Sequence, residues 1–483
     1  MIIGFLCDLH LPSSKEVLQY DVMQWAMDDL TEKKPDCIAF AGDVTCDGNG
    51  EVYHYFIKEM QSLGIPFVFI PGNSDLRCPS SCEEICRISS PCENQINNIK
   101  IFAVNDCAAD ISDEQLSILE RADDKSIVFM HHPVAAYPEK TRQTFSQWRK
   151  NHENTMVFYG HHHESVVEGN DIGLQALDPD KAVGECPCIT YYDTDTKKLR
   201  KSYYPASVPQ DMHPYFGISC YDTLAHIRFC TQKGLAYLEL RPNCIHADRD
   251  LLTEAIAQWR QNGGKNLCIH LPDVTYQDGI AVSPEMDRFM ELARDLKADR
   301  LTQHVPRVSV EAVQGDPSVL DRICGYLADK FNGISHPMVI GVENMHMTAQ
   351  ERPDETRRFG YLPEECLAFM DALAAKCSHK VGINFDIGHA RNNIPFSQAY
   401  QISTWLSMVG KHIVGYHIHQ VTPTEEKYVN HTAITHIYGR LISFASFFKC
   451  WSNGIINKAP VIFEMDTPAD AYSITLKTFQ QHQ

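Results

Sequence analysis

Apolar residues fall into short continuous runs separated by amphipathic stretches, the signature of buried strands alternating with surface helices. In the first 207 residues the runs are Met1 to Leu6, Asp36 to Val44, Ile65 to Ile70, Ser126 to Met130 and Thr155 to Tyr159. Between them, Val17, Leu18, Val22, Trp25, Ala26 and Leu30 recur at helical spacing, and Glu51 to Leu63 follows the same period. Ser112 reads as a helix N-cap, with Gln115 completing a capping box. Ile189 to Tyr204 alternates around the turn Thr194-Asp195-Thr196 and predicts a closing hairpin. Ala206 to Pro214, with Pro209 and Pro214, predicts a linker.

From Tyr215 the pattern becomes regular. Strands are predicted at Phe216–Cys220, Ala236–Leu240, Asn266–His270, Leu301–His304, Met338–Glu343, Val381–Asp386, Ile413–His419 and Val461–Glu464. Helices are predicted at Leu251–Asn262, Pro284–Leu296, Ser318–Phe331, Pro363–Cys377, Phe396–Val409 and Gly439–Trp451. Such alternation over about 270 residues has the count and size of a (β/α)8 TIM barrel. The predicted fold class is α/β: a layered domain over 1–207, then a barrel over 208–483.

Composition narrows the function classes. The 483 residues are 44% hydrophobic and 22% charged, as in an ordinary globular protein. The net charge is −19; residues 1–207 hold 32 acidic and 18 basic side chains, and residues 208–483 hold 30 and 25. This balance argues against a broad nucleic-acid surface, which needs a basic face. No apolar run reaches about 18 residues, so no membrane span is expected. The first residues lack a basic n-region, so no signal peptide is expected either. Eighteen cysteines are scattered, several within predicted elements (Cys37, Cys220, Cys230, Cys268, Cys324), which suggests a reduced, cytoplasmic protein. Cys78, Cys82 and Cys86 recur every four residues, with Cys92 nearby. A buried helical stripe is expected there; a metal or iron–sulfur site and a redox-sensitive group are the alternatives.

Candidate chemistry in the first half lies just after the strands: Asp8 and His10, Gly42-Asp43, Gly72-Asn73, His131-His132, and Gly160-His161-His162-His163. In layered α/β folds, sites form on loops at strand carboxyl ends. Each motif is weak alone, but five in order, each after an apolar strand, are specific. Together they resemble the calcineurin-like metallophosphoesterases, over the whole of 1–207. The resemblance implies a four-layer α/β/β/α domain holding two divalent metals. Asp8, His10 and His163 would hold one, Asn73, His131 and His161 the other, and Asp43 would bridge them. Such a pair, roughly 3.5–4 Å apart, clamps a phosphoryl oxygen and acidifies a water for in-line attack, with no covalent intermediate. The mixed N/O set suits manganese, iron or zinc without choosing among them. The family usually has a histidine after the G-N asparagine; here Ser74 stands in its place. The general acid is therefore unassigned. His132 and His162 are the substitute candidates, His132 foremost, and either is equally readable as structural.

The predicted barrel strands also end in polar residues: Glu239, His270, His304, Glu343-Asn344, Asp386 with His389, His417 and His419, and Glu464. Buried carboxylates and imidazoles need partners, and a metal supplies one. The stretches "GVENMHM", "NFDIGHARN", "GYHIHQV" and "VIFEM" resemble the xylose-isomerase-like TIM barrels, which include sugar isomerases, epimerases and family 2 AP endonucleases. That resemblance implies a one-metal site (Mn, Zn, Co or Mg) of Glu343, Asp386, His417 and Glu464. Glu343 and Glu464 would also be the acid/base pair, and His389 would contact substrate. The endonuclease branch uses three metals, adding His270, His304, His389 and a D-x-H. His431 matches the histidine of that last motif, but Val429 replaces its aspartate. His270 and His304 are also readable as substrate contacts or satisfied core histidines.

The expected function is hydrolysis of a small sugar- or polyol-linked phosphomonoester or phosphodiester, with a barrel that isomerises or epimerises the sugar-like moiety. The expected partner is a small phosphorylated substrate, with neither nucleic acid nor membrane. Two alternatives stay open: phosphodiesterase or endonuclease-type chemistry in both halves, and a barrel serving as a non-catalytic sensor or docking module.

Overall fold

A computed structural model of the chain describes residues 1–347, 351–393, 396–424, 428–466 and 469–481. The chain divides into two compact units: Met1–Ala206 with Tyr438–Ser446, and Ser207–Ile437 with Phe447–Gln483.

The first unit contains β1 (Ile2–Leu6), β2 (Cys37–Ala41), β3 (Phe67–Ile70), β4 (Glu93–Ile96), β5 (Ile99–Ala103), β6 (Ile127–Met130), β7 (Met156–Tyr159), β8 (Val166–Glu168), β9 (Asp171–Gly173), β10 (Cys188–Asp193) and β11 (Lys198–Tyr203). They form a five-stranded sheet, β11-β10-β1-β2-β3, and a six-stranded sheet, β4-β5-β6-β7-β9-β8. Alternate residues of the two sheets share one core, including Phe5, Ala39, Ile70, Ile127, Phe129 and Phe158. Phe5 stacks on Phe158 with ring centroids 3.9 Å apart. The intervening residues Phe102, Val128, Met130 and Val157 face outward, against Leu119, Phe145 and Trp148. On the other sheet, Phe40 packs on Phe56 of helix Gly50–Ser62. The layers are therefore helix, sheet, sheet, helix. Both faces of the central strands are covered, which is why those strands read as unbroken apolar runs. The capping box of Ser112 and Gln115 is present.

The strand expected over 36–44 stops at Ala41, because Gly42 (φ +85°) and Asp43 (φ 58°) turn the chain left-handed. The helix expected from Gly439 begins only at Ala445; before it, the Gly439 N–H closes a turn on the Ile442 carbonyl. Tyr438 instead joins the first unit, its carbonyl accepting from the Gly184 N–H at 2.8 Å and its hydroxyl donating to the Ala206 carbonyl at 3.0 Å. None of the eighteen cysteines forms a disulfide. The expected buried stripe is corrected: the buried positions of helix Pro79–Ile88 are Ser81 and Ile85, so Cys82 and Cys86 flank that face and stay partly exposed.

In the second unit, β12 (Phe216–Cys220), β13 (Tyr237–Leu240) and β14 (Asn266–His270) are followed by a hairpin of β15 (Thr275–Gln277) and β16 (Ile280–Val282). Then come β17 (Arg300–His304), β18 (Val339–Glu343), β19 (Lys380–Asp386), β20 (Ile413–Ile418), a second hairpin of β21 (Gln420–Pro423) and β22 (Tyr428–Thr432), and β23 (Val461–Phe463). Strands β12-β13-β14-β17-β18-β19-β20-β23 close into a barrel, and every neighbouring pair is parallel. All strand carboxyl ends thus meet at one face. Among the described residues no helix is long and apolar enough to cross a membrane.

Phe158→Ala removes one ring of the stacked pair at the inter-sheet core. Urea unfolding of the full chain should show the first unit destabilised by about 3–5 kcal/mol.

Candidate metal centres

The ligand-type residues of the first unit sit in the turns beyond β1, β2, β3, β6 and β7. Five have left-handed backbone: Asp8 (φ 53°), His10 (51°), Asp43 (58°), His161 (68°) and His163 (59°). That conformation costs an L-residue roughly 1–2 kcal/mol and needs support from its surroundings. Backbone bonds give part of it: the Asp8 N–H donates to Gly42 O at 2.9 Å, and the Leu9 and His10 N–H groups donate to Asp43 O at 2.9 and 3.1 Å. The glycines before the ligands make room. A Cβ on Gly42 would lie 2.6 Å from His131 Nδ1, and one on Gly72 would lie 2.2 Å from Asp43 Oδ1. The G-D and G-N dipeptides are packing requirements.

All seven expected ligands converge. One ligand atom from each of Asp8, His10, Asp43 and His163 lies within 4.8 Å of the others, and the same holds for His131, His132 and His161. Asn73 Oδ1 adjoins the second group, 3.1 Å from His131 Nε2 and 3.0 Å from His161 Nδ1. Asp43 Oδ2 faces both groups, 3.1 Å from His10 Nε2 and 3.5 Å from His131 Nε2. Ser74 occupies the departure from the family pattern. Its N–H and hydroxyl donate to the Asp43 carboxylate at 2.7 and 2.9 Å, so it fixes the bridging group. His132 is buried beside His161, ring centroids 4.5 Å apart, whereas His162 is exposed.

Three further carboxylates hold this arrangement, and no sequence motif marks them. Asp178 Oδ2 lies 3.4 Å behind His10 Nδ1, and its Oδ1 accepts from Gln19 Nε2 at 2.9 Å. Asp106 accepts the backbone N–H groups of both His131 and His132 at 2.7 Å. Asp75 accepts from the N–H groups of Val44, Thr45 and Gly72. Burial drives His10 down to about 3, but His131 rises to about 9, because Asp43 and Asp8 outweigh its burial. Burial lifts Asp178 to about 7.

In the barrel the hub is Glu343, at the carboxyl end of β18. Its carboxylate lies 3.5 Å from His270 Nε2, 3.6 Å from His304 Nε2, 3.5 Å from His389 Nδ1 and 3.1 Å from His417 Nδ1. Glu464 Oε2 is 2.9 Å from the same nitrogen of His417, and 3.8 Å from His431 Nε2. Asp386 Oδ1 is 3.2 Å from His419 Nε2. Ligand groupings within 4.8 Å include His270-His304-Glu343, His270-His417-Glu464 and Asp386-His389-His419-His431. The expected site residues of the barrel all fall in this cluster. Glu239 has a role that the strand pattern does not reveal: its Oε1 sits 2.9 Å from His417 Nε2. An N–H held there turns Nδ1 toward Glu343 and Glu464, as carboxylates behind metal-binding imidazoles do. Burial opposes ionisation of Glu239, but His417 outweighs it and holds the group at about 2.

The donor sets fit cations. In the barrel, Glu343 Oε1, Asp386 Oδ2, His417 Nδ1 and Glu464 Oε2 are all buried without an aligned hydrogen-bond partner. Buried polar atoms are rarely left so, and an N/O set of this kind suits a divalent transition metal.

Residues 1–165 match the family model for calcineurin-like phosphoesterases. A probable cyclic nucleotide phosphodiesterase of Xenorhabdus bovienii is 33% identical over 82 residues, 15% of this chain and 32% of that protein. A probable glycerophosphodiester phosphodiesterase of Arcobacter nitrofigilis is 45% identical over 42 residues, 9% of this chain and 15% of that protein. The chain thus spans less than a third of the length of these curated relatives. Among solved structures, a xylose isomerase domain protein of Planctomyces limnophilus covers 58% of this chain and 97% of its own, at 14% identity and a TM-score of 0.38. A dimetal phosphatase of Danio rerio covers 40% and 92%, at 12% identity and a TM-score of 0.32. The first part of the chain therefore carries a calcineurin-like phosphoesterase domain, and the second unit is a TIM barrel.

Asp178→Asn keeps the hydrogen bond from Gln19 within reach but replaces the carboxyl group behind His10 with an amide. Metal titration of the full chain should show affinity at that position weakened by about 10–100-fold.

Proposed function

We propose that the first unit hydrolyses a small phosphomonoester or phosphodiester, sugar- or polyol-linked. The observation that carries this reading is Asp43 Oδ2, set between His10 Nε2 at 3.1 Å and His131 Nε2 at 3.5 Å. Two divalent cations bound there, manganese, iron or zinc, would supply phosphoryl polarisation and acidification of a water. Asp8, His10 and His163 would hold one, Asn73, His131 and His161 the other, with Asp43 shared. Ser74 has its hydroxyl committed to Asp43 and serves as a positioning residue. On this reading His132, as the imidazolium, would give a proton to the leaving oxygen from Nε2, since its Nδ1–H donates to the Asp106 carbonyl at 3.0 Å. Both curated relatives are named as phosphodiesterases, which supports a diester, and one of those names specifies glycerol, a polyol.

The barrel, on the same reading, isomerises or epimerises the sugar-like part. Glu343, Asp386, His417 and Glu464 would hold a cation, and Glu343 and Glu464 would move the proton between adjacent carbons. A second reading, phosphoester cleavage on nucleotides in both units, is favoured by the several ligand groupings around Glu343 and Asp386. The net charge of −19 weighs against nucleic acid as its substrate.

Asp43→Asn should lower metal-dependent hydrolysis of bis(p-nitrophenyl) phosphate by roughly 10²-fold or more, since the cations lose their shared ligand. Glu464→Gln should leave that rate unchanged. Survival of the rate in Asp43→Asn would defeat the assignment. Efficient cleavage of abasic DNA by the Asp43→Asn protein would select the second reading for the barrel.

A further inference from the structure

Beside the Glu343 cluster the barrel holds a cavity of about 560 Å³, with Tyr276, Arg307, Ser309, His346, Arg358 and Tyr361 in its lining. Small-molecule sites run to roughly 300–1,000 Å³. None of these side chains is a candidate metal ligand. We propose that the cavity seats an oxyanion carried by the substrate of the barrel, a phosphate ester or a carboxylate. The barrel then takes a charged polyol in preference to a neutral sugar.

Backbone bonds tie the walls together. The Arg307 N–H donates to the Val274 carbonyl at 2.8 Å, the Tyr276 N–H to the Arg307 carbonyl at 3.1 Å, and the Phe359 N–H to the Val308 carbonyl at 2.8 Å. Tyr276, Arg307, Ser309 and Arg358 are thus held in one frame.

Their donors outnumber the acceptors that answer them. Arg307 uses Nε and Nη2 on a single oxygen, Asp273 Oδ2, at 2.8 and 2.6 Å. Arg358 gives Nη2 to the Val305 carbonyl, while its Nε is buried with no hydrogen-bond partner. Among the described residues, Nη1 of neither arginine meets an acceptor. The Tyr276 hydroxyl accepts from Arg322 Nε at 2.8 Å, and Ser309 Oγ accepts from the Ala312 N–H at 3.1 Å, so each O–H is left to donate. Glu351, the one carboxylate among the described lining residues, already accepts from the Tyr361 hydroxyl at 2.6 and 2.7 Å and from the Arg358 N–H at 3.1 Å. Guanidinium groups and hydroxyls arranged in this way suit the oxygens of an anion, which accept charge-assisted hydrogen bonds.

The cavity adjoins the metal cluster at two points. Asp273 holds Arg307 with Oδ2 and turns Oδ1 to His304 Nδ1 at 2.6 Å, and His304 Nε2 faces Glu343. At the second point the His346 ring lies 4.9 Å from that of His389. A single imidazole therefore separates the anion seat from the Glu343 cluster, and a polyol anchored by its charged end brings its hydroxyls toward Glu343. If the anchor is a phosphate ester, the barrel step precedes hydrolysis, because hydrolysis would remove the anchor.

This inference rests on the reading of the barrel as a sugar isomerase or epimerase. Full-length protein stripped by chelator, whose first unit then has no cation to bind phosphate, is titrated by calorimetry with glucose 6-phosphate, glucuronate and glucose. The three probes differ only at one carbon. The expected result is binding of at least one anionic probe and none of glucose, with Arg358→Gln and Arg307→Ala each weakening the anion by about tenfold or more. Preference for glucose 6-phosphate identifies a phosphate ester, and preference for glucuronate a carboxylate. The Arg307 side chain is largely exposed, so Arg307→Ala carries the test should Arg358→Gln fail to fold. Glucose binding as tight as that of the anions, no anion binding, or anion binding untouched in both variants would overturn the seat. Manganese-loaded Asp43→Asn protein, which spares phosphate esters, is then incubated with the same probes in D₂O. Deuterium entering at carbon supports the isomerase reading. No deuterium uptake alongside arginine-dependent anion binding would overturn that reading and leave the seat standing.

Discussion

A carboxylate withdrawn from water is unstable unless opposite charge or several donors surround it. Asp43 in the first unit and Glu343 in the second are both completely or almost completely buried, and each is ringed by imidazoles. Glu343 alone has four within 3.6 Å. Imidazoles answer the charge by donating N–H hydrogen bonds or by taking up protons, and His417 is pushed far above its ordinary value: burial opposes this, but Glu239, Glu343 and Glu464 prevail. A cation relieves both kinds of group at once. The glycines, the left-handed turns and the outer carboxylates are intelligible as devices that keep these crowded groups in place.

Two unrelated architectures meet this need in the same way. Each places its ligands beyond the carboxyl ends of parallel strands, where rigid backbones converge and the loops are free to turn. Each also backs key imidazoles with a carboxylate on the far nitrogen: Asp178 behind His10, Glu239 behind His417, and Asp273 behind His304 at 2.6 Å. Such a pairing sets the tautomer and the ring plane together, so that with a cation bound the nitrogen facing the centre would be the unprotonated one.

The candidate ligands were legible because the central strands are covered on both faces. The parts that escaped lack that contrast. Strand β4 is Glu-Asn-Gln-Ile, an edge with no apolar period, and β8 and β9 are three residues each. Asp178 reaches His10 across 168 positions of chain, and no local pattern encodes that meeting. Ser74 was readable as a missing imidazole, but its hydroxyl contact with Asp43 depends on the turn after β3. His419 stood in view at a strand end; its partnership with Asp386 depends on the bare Cα of Gly388, which only the folded chain brings beneath it.

The left-handed turns carry a consequence for the life of the protein. Backbone held in that region stores energy that the unfolded chain does not, so the native state begins at a disadvantage wherever its ligand residues are ungripped. Whatever binds only the folded form repays this, by about 2.7 kcal/mol per site at a hundredfold excess over the dissociation constant. Cations held at these centres would then raise the share of the protein that stays folded and withstands proteolysis.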